Sequence, residues 1–366
     1  MVELKGKYST AKVFHDTVEQ SAIQQIKHLL DHVFISGSKV RIMPDVHVGM
    51  GCPIGTTMTI TDKVVPNLVG VDIGCGMETV LLKDKRVNLQ QLDKIFHKHI
   101  PAGMSVRKDP HHMVCEIDLN MLRCAKHVDL QRAALSVGTL GGGNHFIELG
   151  IDEDEMKYLV VHSGSRNLGK QVCEYYQNIA ADTLGRNGKG ADRVLAYLEG
   201  EHLKDYLHDM AIIQNYAGLN RRAIVKEIVK QKKLKIIDSF TTVHNYIDSM
   251  ILRKGAISAQ NGERVLIPMN MRDGRLICVG KGNADWNYSA PHGAGRLMNR
   301  SDVKHKFTVH QFKEAMEGIY STTIKPGTLD EAPFVYKPME EIVANIGDTA
   351  EIVKRVKPLY NFKAVE

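Results

Sequence analysis

The sequence has no apolar run long enough to span a lipid bilayer and no hydrophobic signal-peptide core near its start. Its six cysteines include no CxxC pair and no spacing typical of a disulfide framework, and a chain of this length does not need disulfide bonds to be stable. These absences argue against a helical membrane protein and against a small secreted scaffold. We expect a cytoplasmic protein whose thiols are reduced and mostly buried.

The common nucleotide-handling motifs are missing as well. The chain has no G-x-x-x-x-G-K-[ST], no strand-linked G-x-G-x-x-G with a following acidic residue, and no H-E-x-x-H. The K-x-D-G motif of ordinary nucleotidyl transferases is also absent, and its nearest match, MRDG, has Met271 in place of the lysine. Any nucleotide chemistry here must use a different set of groups.

The composition itself is ordinary for a globular protein, with 366 residues, 43% of them hydrophobic and 25% charged. The net charge of +6 permits an anionic partner such as RNA or a nucleotide but does not require one. The most basic run, VKEIVKQKKLK at 225–235, fits either a solvated helix end or a phosphate-tracking patch. No repeat, low-complexity tract or linker divides the chain.

Hydrophobic spacing predicts the secondary structure and the fold class. Period-3.6 patterns predict helices at 17–32, 89–98, 129–136, 169–184 and 204–232. Short runs broken by glycine and proline predict strands within 39–82, and RVLIPMN and RLICVG predict two more around the turn MRDG. LVV at 159–161 reads as a buried strand, and APHGAGRLMNR as a loop that opens a helix near Gly293. The mixture predicts an α+β fold built around one large sheet system.

Five segments place residues that bind metals among small residues. They are VGVDIGCG with Asp72 and Cys75, GGGNHFIE with Asn144, His145 and Glu148, VHSGSRN with His162, TVHNYI with His244, and SAPHGAGR with His292. Carboxylates, thiolates and imidazoles bind transition metals, and glycine lets backbones converge without Cβ clashes. Singly, each histidine could be a hydrogen-bonded core residue and the cysteine a small hydrophobe. Their shared context predicts one metal site.

His292 differs from the other histidines in its predicted setting. PHGAGR places it just before the predicted helix N-terminus, where free N–H groups and the dipole favour a phosphate. Arg296 would follow about one turn later. A neutral imidazole there can attack phosphorus or donate a proton, while a helix-capping histidine without chemistry is the alternative.

At these residues the chain resembles the RtcB family of RNA-splicing ligases, over nearly its whole length. The strings that carry the resemblance are MPDVHVGMGCPIG, VGVDIGCGM, GTLGGGNHFIEL, VVHSGSRNLG, VHNYI, SAPHGAGR and the tail DEAPFVYKPMEEI…VKPLYNFK. The resemblance implies a single RtcB-type catalytic domain over residues 1–366. It also implies mixed sheets with flanking helices and a central cleft for metal and nucleotide.

The resemblance implies an activity too. Family members use GTP and Mn²⁺ to join an RNA 3′-phosphate, or a 2′,3′-cyclic phosphate opened first by hydrolysis, to a 5′-hydroxyl. A histidine takes up GMP from GTP, the GMP passes to the RNA 3′-phosphate, and the 5′-hydroxyl then displaces it. For this chain we therefore expect two Mn²⁺ ions, GTP and RNA. The need for an activating partner protein stays open.

Carried over position by position, the resemblance assigns roles to individual residues. His292 would be the nucleophile and Asp45 a carboxylate that acts near the sealing step. The metal ligands would be Asp72, Cys75, His145, His162 and His244, with Cys75 bridging two ions. The nucleotide contacts would be Asn144 on phosphate, Glu148 on the guanine edge, Tyr336 and Lys363 on the base, together with His145, Gly293 and Ala294. Arg166 and Arg296 would contact RNA phosphate.

One segment departs from the family pattern. Most members carry a Gly-Ser-Met-Gly-type string where this chain reads IPMNMRDGRLICVGKGNADWNYSAPHGAGR, at 267–296, so no nucleotide-contacting serine is assigned there. The chain resembles a compact branch of the family, with a role in RNA repair or splicing. The alternatives are a metal-dependent RNA-end phosphoesterase that does not use GTP and a catalytically inactive protein that binds guanine nucleotide or RNA.

Overall fold

The computed structural model describes residues 1–186 and 192–364. Its α-helices are α1 Gln20–Leu30, α2 Leu89–His99, α3 Leu130–Ser136, α4 Arg166–Arg186, α5 Gly200–Lys232, α6 Arg300–Lys306, α7 Val309–Ala315 and α8 Met339–Asn345. Its strands are β1 Val2–Lys5, β2 Thr10–Val13, β3 Val40–His47, β4 Ile54–Thr59, β5 Lys63–Val64, β6 Gly76–Leu82, β7 Phe146–Ile151, β8 Lys157–Ser163, β9 Leu198–Glu199, β10 Ile236–Val243, β11 Asn245–Asp248, β12 Ile251–Lys254, β13 Ala256–Ser258, β14 Arg264–Asn270, β15 Gly274–Gly280, β16 Ser289–Pro291 and β17 Ala350–Lys363.

The strands form two large sheets, and with the helices they confirm the α+β class. One sheet has the order β1-β2-β3-β4-β12-β11, and the other has the order β10-β6-β8-β7-β17-β15-β14. The structure thus has two large sheets where the sequence predicted one large sheet system. The seven-stranded sheet curls until its two edges meet, where the Leu266 amide of β14 donates to Thr242 Oγ1 of β10 at 3.1 Å.

The five helices predicted from periodicity correspond to α1 to α5 within a few residues, and the strands RVLIPMN and RLICVG are present as β14 and β15. The helix predicted near Gly293 is wrong, because α6 begins only at Arg300. Gly295 has a φ of +77°, and Arg296 forms a β-bridge with Tyr336. Residues 292–299 therefore form a loop, and the helix dipole invoked for His292 is not present there.

Helix α5 joins the two main parts of the core. Ile213 and Tyr216 pack in the largest hydrophobic cluster, beneath the six-stranded sheet, and Ile224 and Ile228 pack in a second cluster against the seven-stranded sheet. Because α5 packs against both hydrophobic clusters, a helix of 33 residues can run through the core of the molecule. No helix in the described ranges is both long and apolar enough to cross a membrane.

Strand register collects the predicted site residues at one end of the seven-stranded sheet. Met77 and Phe146 are both paired with His162, and Lys363 is paired with Phe146. Val243, next to His244, is paired with Gly76, next to Cys75. Residues distant in sequence therefore meet because each lies at the same end of its strand.

Candidate active site

A cavity of about 750 Å³ lies at this end of the sheet, and residues of both large sheets line it. Three of the predicted residues, Asp45, His145 and Arg166, lie outside the cavity lining. The predicted residues within the lining are Asp72, Cys75, Asn144, Glu148, His162, His244, His292, Gly293, Ala294, Arg296, Tyr336 and Lys363.

Two groups of metal-ligating atoms share the sulfur of Cys75. In the first group, Cys75 Sγ lies 3.2 Å from His162 Nε2, which lies 3.4 Å from His244 Nε2. In the second group, His145 Nε2 lies 3.5 Å from the same sulfur and 2.9 Å from Asp72 Oδ2. Cys75 therefore belongs to two candidate metal-binding groups at once.

The second nitrogen of two imidazoles shows which way their lone pairs point. His145 Nδ1 faces the carbonyl oxygen of Leu140 at 2.8 Å, and His162 Nδ1 faces that of Asn144 at 3.2 Å. Because a carbonyl only accepts, each Nδ1 carries the proton and each Nε2 presents a lone pair to Cys75. The His145 Nε2 lone pair faces the Asp72 carboxylate at 2.9 Å, and two such acceptors repel unless a proton or a cation lies between them, so these residues fit a divalent transition metal.

The surroundings favour ligand protonation states for the imidazoles and for Asp72. Burial, followed by the neighbouring histidines, lowers the pKa values of His162 and His244, so both imidazoles are neutral at pH 7. Burial alone would raise the pKa of Asp72, but the His145 imidazole outweighs it and the net shift is downward. Burial and Asp72 raise the pKa of the Cys75 thiol, and a bound dication would act in the opposite direction.

A turn and one buried guanidinium hold the Asp72–Cys75 segment. Gly74 has a φ of +70°, and a Cβ there would lie 2.9 Å from the Ala217 side chain on α5, so a larger residue would be strained and crowded. Arg221 of α5 donates from Nη1 to the carbonyl oxygens of Gly74 at 2.6 Å and Ser163 at 3.0 Å. The helix thereby ties together the two chain segments that carry Cys75 and His162.

His292 follows β16 and is held by a carboxylate from the other large sheet. Its Nδ1 lies 2.6 Å from Asp45 Oδ2, and its backbone N–H donates to the same oxygen at 3.1 Å. Asp45 is fully buried on β3. The Nδ1–H therefore points to Asp45 and the Nε2 lone pair is free, and the His292 ring lies 5.0 Å from that of His244.

Glu148 and its partners form a second wall of the cavity. Glu148 Oε2 accepts from Asn361 Nδ2 at 2.7 Å, and the other oxygen forms an ion pair with the buried Arg275. Lys363 Nζ donates to the Asn144 carbonyl at 2.9 Å, and that carbonyl also faces His162. The predicted base-contacting wall is thus linked to His162, a candidate metal ligand, through one backbone oxygen.

Glu331 is the centre of an ion-pair network in this wall. Tyr336 donates its hydroxyl to Glu331 Oε2 at 2.8 Å, and Lys363 forms an ion pair with the same oxygen. Arg300 lies 2.6 Å and Arg296 3.5 Å from Glu331 Oε1. Burial raises the pKa of Glu331, but Lys363 and Arg300 outweigh it and set the pKa to about 2.

The two arginines predicted to contact RNA phosphate occupy different places. Arg296 lines the cavity, lies over the Tyr336 ring at 5.3 Å and donates to the Asp330 carbonyl at 2.7 Å. Arg166 has a φ of +56° and lies behind His145, with Nη1 3.5 Å from His145 Nδ1. Arg166 also donates to the Gly103 carbonyl at 3.2 Å. Both RNA contacts stay predictions.

Sequence reasoning missed Glu331, Arg275, Asn361 and His47 as site residues. Glu331 lies in the quoted tail string DEAP, but a carboxylate in a loop carries no sign that three cations will surround it. His47 lines the cavity, and burial lowers its pKa to about 4. Arg275 lies in the divergent segment, where only the three-dimensional pairing of β15 with β17 brings it near Glu148.

Comparison with known proteins agrees with the arrangement of these residues. A family model described as tRNA-splicing ligase RtcB matches residues 25–126 and 118–364. The RNA-splicing ligase RtcB of Escherichia coli K12 is 30% identical over 384 residues, which cover 92% of each chain. The tRNA-splicing ligase RtcB of Aeropyrum pernix is 29% identical and covers 87% of this chain and 86% of its own. The matches extend over most of the chain, and it belongs to the RtcB family.

Proposed function

We propose that this protein is an RNA ligase that joins RNA 3′-phosphate or 2′,3′-cyclic phosphate ends to 5′-hydroxyl ends, with GTP as the energy source and two Mn²⁺ ions as cofactors. The observation that carries the proposal is the meeting of His292 with the two donor groups that share Cys75, at one end of the seven-stranded sheet. Family membership supports the same activity, because the relatives matched are named RNA- or tRNA-splicing ligases.

Asp72, Cys75, His145, His162 and His244 would hold the metal ions. When bound, the ions would neutralise phosphate charge and assist the departure of pyrophosphate. The protein itself supplies the nucleophile and its orientation, because Asp45 accepts a hydrogen bond from Nδ1–H of His292, which keeps the proton on Nδ1 and leaves Nε2 unprotonated.

The reaction then follows in three transfers. His292 Nε2 attacks the α-phosphorus of GTP, so a P–N bond forms while the bond to the β-phosphate oxygen breaks and pyrophosphate leaves. An oxygen of the RNA 3′-phosphate attacks the same phosphorus, and the P–N electrons return to the imidazole. The 5′-hydroxyl finally attacks the 3′-phosphate phosphorus, loses its proton and displaces GMP.

Glu148 would select guanine over adenine. Arg275 and Asn361 hold its two oxygens from the protein side, which keeps the carboxylate oriented as an acceptor. Guanine offers N1–H and N2–H₂ as donors to the remaining lone pairs of such a group and adenine does not, so adenine would lose these two hydrogen bonds. Tyr336 and Lys363 would stack on the base and hydrogen-bond to it from the neighbouring wall.

The test is incubation of the protein with α-labelled GTP and Mn²⁺. We expect an acid-labile, alkali-stable protein–GMP bond that is absent in His292→Ala and unchanged in His310→Ala, whose side chain is 82% exposed. An adduct that survives in His292→Ala would refute the assignment of the nucleophile. Loss of terminal phosphate without sealing, together with indifference to Glu148→Ala and Lys363→Ala, would instead identify a metal-dependent phosphoesterase.

A further inference from the structure

We propose that a basic surface at the opposite end of the seven-stranded sheet binds the RNA backbone away from the ends that are joined. This inference deepens the proposed function and rests on it. Three separate chain segments supply the surface, which we call the distal basic surface. Its residues are Lys83, Lys85, Arg86, Lys94, Lys98, Lys230, Lys232, Lys233 and Lys235.

Specific contacts bring the three segments together. The Lys83 amide donates to the carbonyl of Lys235 at 2.8 Å, and the Lys235 amide donates to Asp84 at 2.7 Å. Lys232 donates to the Gln91 side chain of α2 at 2.5 Å. A recess of about 350 Å³ lies where α2 meets the end of α5, and its lining includes Lys94, Lys232 and Lys233. The surface is therefore set by the fold and is not merely a basic run in the sequence.

The cations of the distal basic surface lie close together and form no ion pairs within the described part of the chain. The surface carries nine of the 48 lysines and arginines of the chain within three short segments. None of these nine side chains has a charged nitrogen within 4 Å of a carboxylate oxygen among the residues that the structure describes. Of the acids nearby, Asp84 accepts a backbone N–H, while Asp93 and Glu227 are buried and bonded to Tyr360 and Gln231. Such unneutralised charge favours a polyanion.

The position of the surface suits a continuous RNA strand that leaves the cavity. Cys75 and Lys83 lie on either side of β6, eight residues apart, and His244 and Lys235 likewise flank β10. At about 3.3 Å per residue, strands of this length separate the surface from the metal-ligating cluster by about 25–30 Å. An RNA whose end lies in the cavity must follow a path at least this long over the surface to reach it. Phosphate contacts there would add affinity without reading sequence.

The test measures binding of an unreactive RNA of about 20 nucleotides with hydroxyl groups at both ends, as a function of salt. We expect Lys94→Gln/Lys232→Gln/Lys233→Gln to reduce the slope of log affinity against log salt by about 2, because each lost phosphate contact removes about 0.7 to 0.9. The matched control is Lys5→Gln/Lys27→Gln/Lys313→Gln, three exposed lysines elsewhere, and it should leave the slope unchanged. Formation of the protein–GMP bond needs no RNA and should persist in both variants.

Equal loss of slope in both triple variants, or no loss in either, would overturn the proposal. The proposal would also be overturned if Lys94→Gln/Lys232→Gln/Lys233→Gln lost binding to vesicles with anionic headgroups but bound RNA like the wild type. That result would assign the surface to membranes. RNA of about four nucleotides cannot span from the cavity to the surface and should be insensitive to the variants. A protein that binds RNA with the expected slopes but never seals it would refute the proposed ligase activity and leave this surface standing.

Discussion

At the scale of single residues, the hydrogen bond between Asp45 and His292 is the contact on which the proposed chemistry depends. Asp45 is fully buried on β3 and accepts from both the ring and the backbone of His292. It fixes the tautomer of the imidazole and would stabilise the charge that appears there during phosphoryl transfer. In the proposed mechanism Asp45 would be a positioning residue for His292, and the sealing-step role that the family resemblance implies for it stays a prediction.

We predict that Asp45→Asn lowers the rate of protein–GMP formation by about 10²- to 10⁴-fold, because an amide can present its N–H₂ to Nδ1 and favour the wrong tautomer. The KM for GTP should change little, since Asp45 does not line the cavity. Single-turnover labelling as a function of pH measures this effect. An unchanged rate with an unchanged pH profile would contradict the positioning role.

Glu331 organises the base-contacting wall through Tyr336 and Lys363. We predict that Glu331→Gln raises the KM for GTP about tenfold, while kcat falls less, because Lys363 and Tyr336 lose the anion that orients them. Tyr336→Phe removes the hydrogen bond to Glu331 but keeps the aromatic ring, so it should raise the KM for GTP by a smaller factor. Steady-state ligation kinetics at varied GTP would separate the two effects, and a fall in kcat alone would disprove the assignment.

Glu331 also makes stability depend on pH. Its pKa is about 2 in the folded protein and near 4.5 in the unfolded chain, so its ionisation stabilises the fold above about pH 4.5. That contribution, about 3 kcal/mol from the pKa difference, disappears as the pH falls toward 2. The unfolding free energies of wild type and Glu331→Gln should therefore differ most above pH 5 and converge near pH 2. Urea unfolding at several pH values tests this, with the exposed Glu340→Gln as control.

At the scale of elements, the close pairing of β6 and β10 keeps Cys75 next to His244. A Cβ on Gly76 would press against the carbonyl oxygen of Thr242 and lie 2.9 Å from Val243 Cα. The His244 amide donates to the Cys75 carbonyl at 2.9 Å just beyond this point. The glycine is thus needed for a close approach of two backbones.

We predict that Gly76→Ala pushes the two strands apart and lowers Mn²⁺ affinity at least tenfold, because the two ligands of one ion separate. Isothermal titration with Mn²⁺ measures the change. Gly185→Ala, in α4 with no atom within 4 Å of the new Cβ, is the matched control and should leave affinity unchanged. Equal affinities in both variants would show that the strand spacing does not control the site.

At the scale of the whole molecule, the Cys75 cluster is a junction between chain segments that are far apart in sequence. Asp72, His145, His162 and His244 converge from four separate segments, and an ion bound among them would cross-link the fold. A ligand that binds only the folded state stabilises it by mass action, by about 3 kcal/mol at a hundredfold excess over Kd.

We predict that Mn²⁺ raises the midpoint of thermal unfolding of the wild type by several degrees and that EDTA reverses the rise. Cys75→Ser should abolish this shift, because it removes the ligand that both donor groups share. Cys115→Ser alters an exposed thiol and should keep the shift. A metal-dependent shift that persists in Cys75→Ser would place the stabilising ion elsewhere.

The sequence by itself determined the α+β class, the positions of α1 to α5 and the ligand-type residues, because periodicity and glycine-rich context are local properties of a chain. It misplaced the helix after His292, since the φ of Gly295 and the bridge from Arg296 to Tyr336 depend on packing against β3 and the tail. Only the tertiary structure decided that Asp45 reaches His292, that Glu331 gathers three cations and that lysines from three segments form one surface. Such contacts join residues tens to hundreds of positions apart, and no local pattern encodes them.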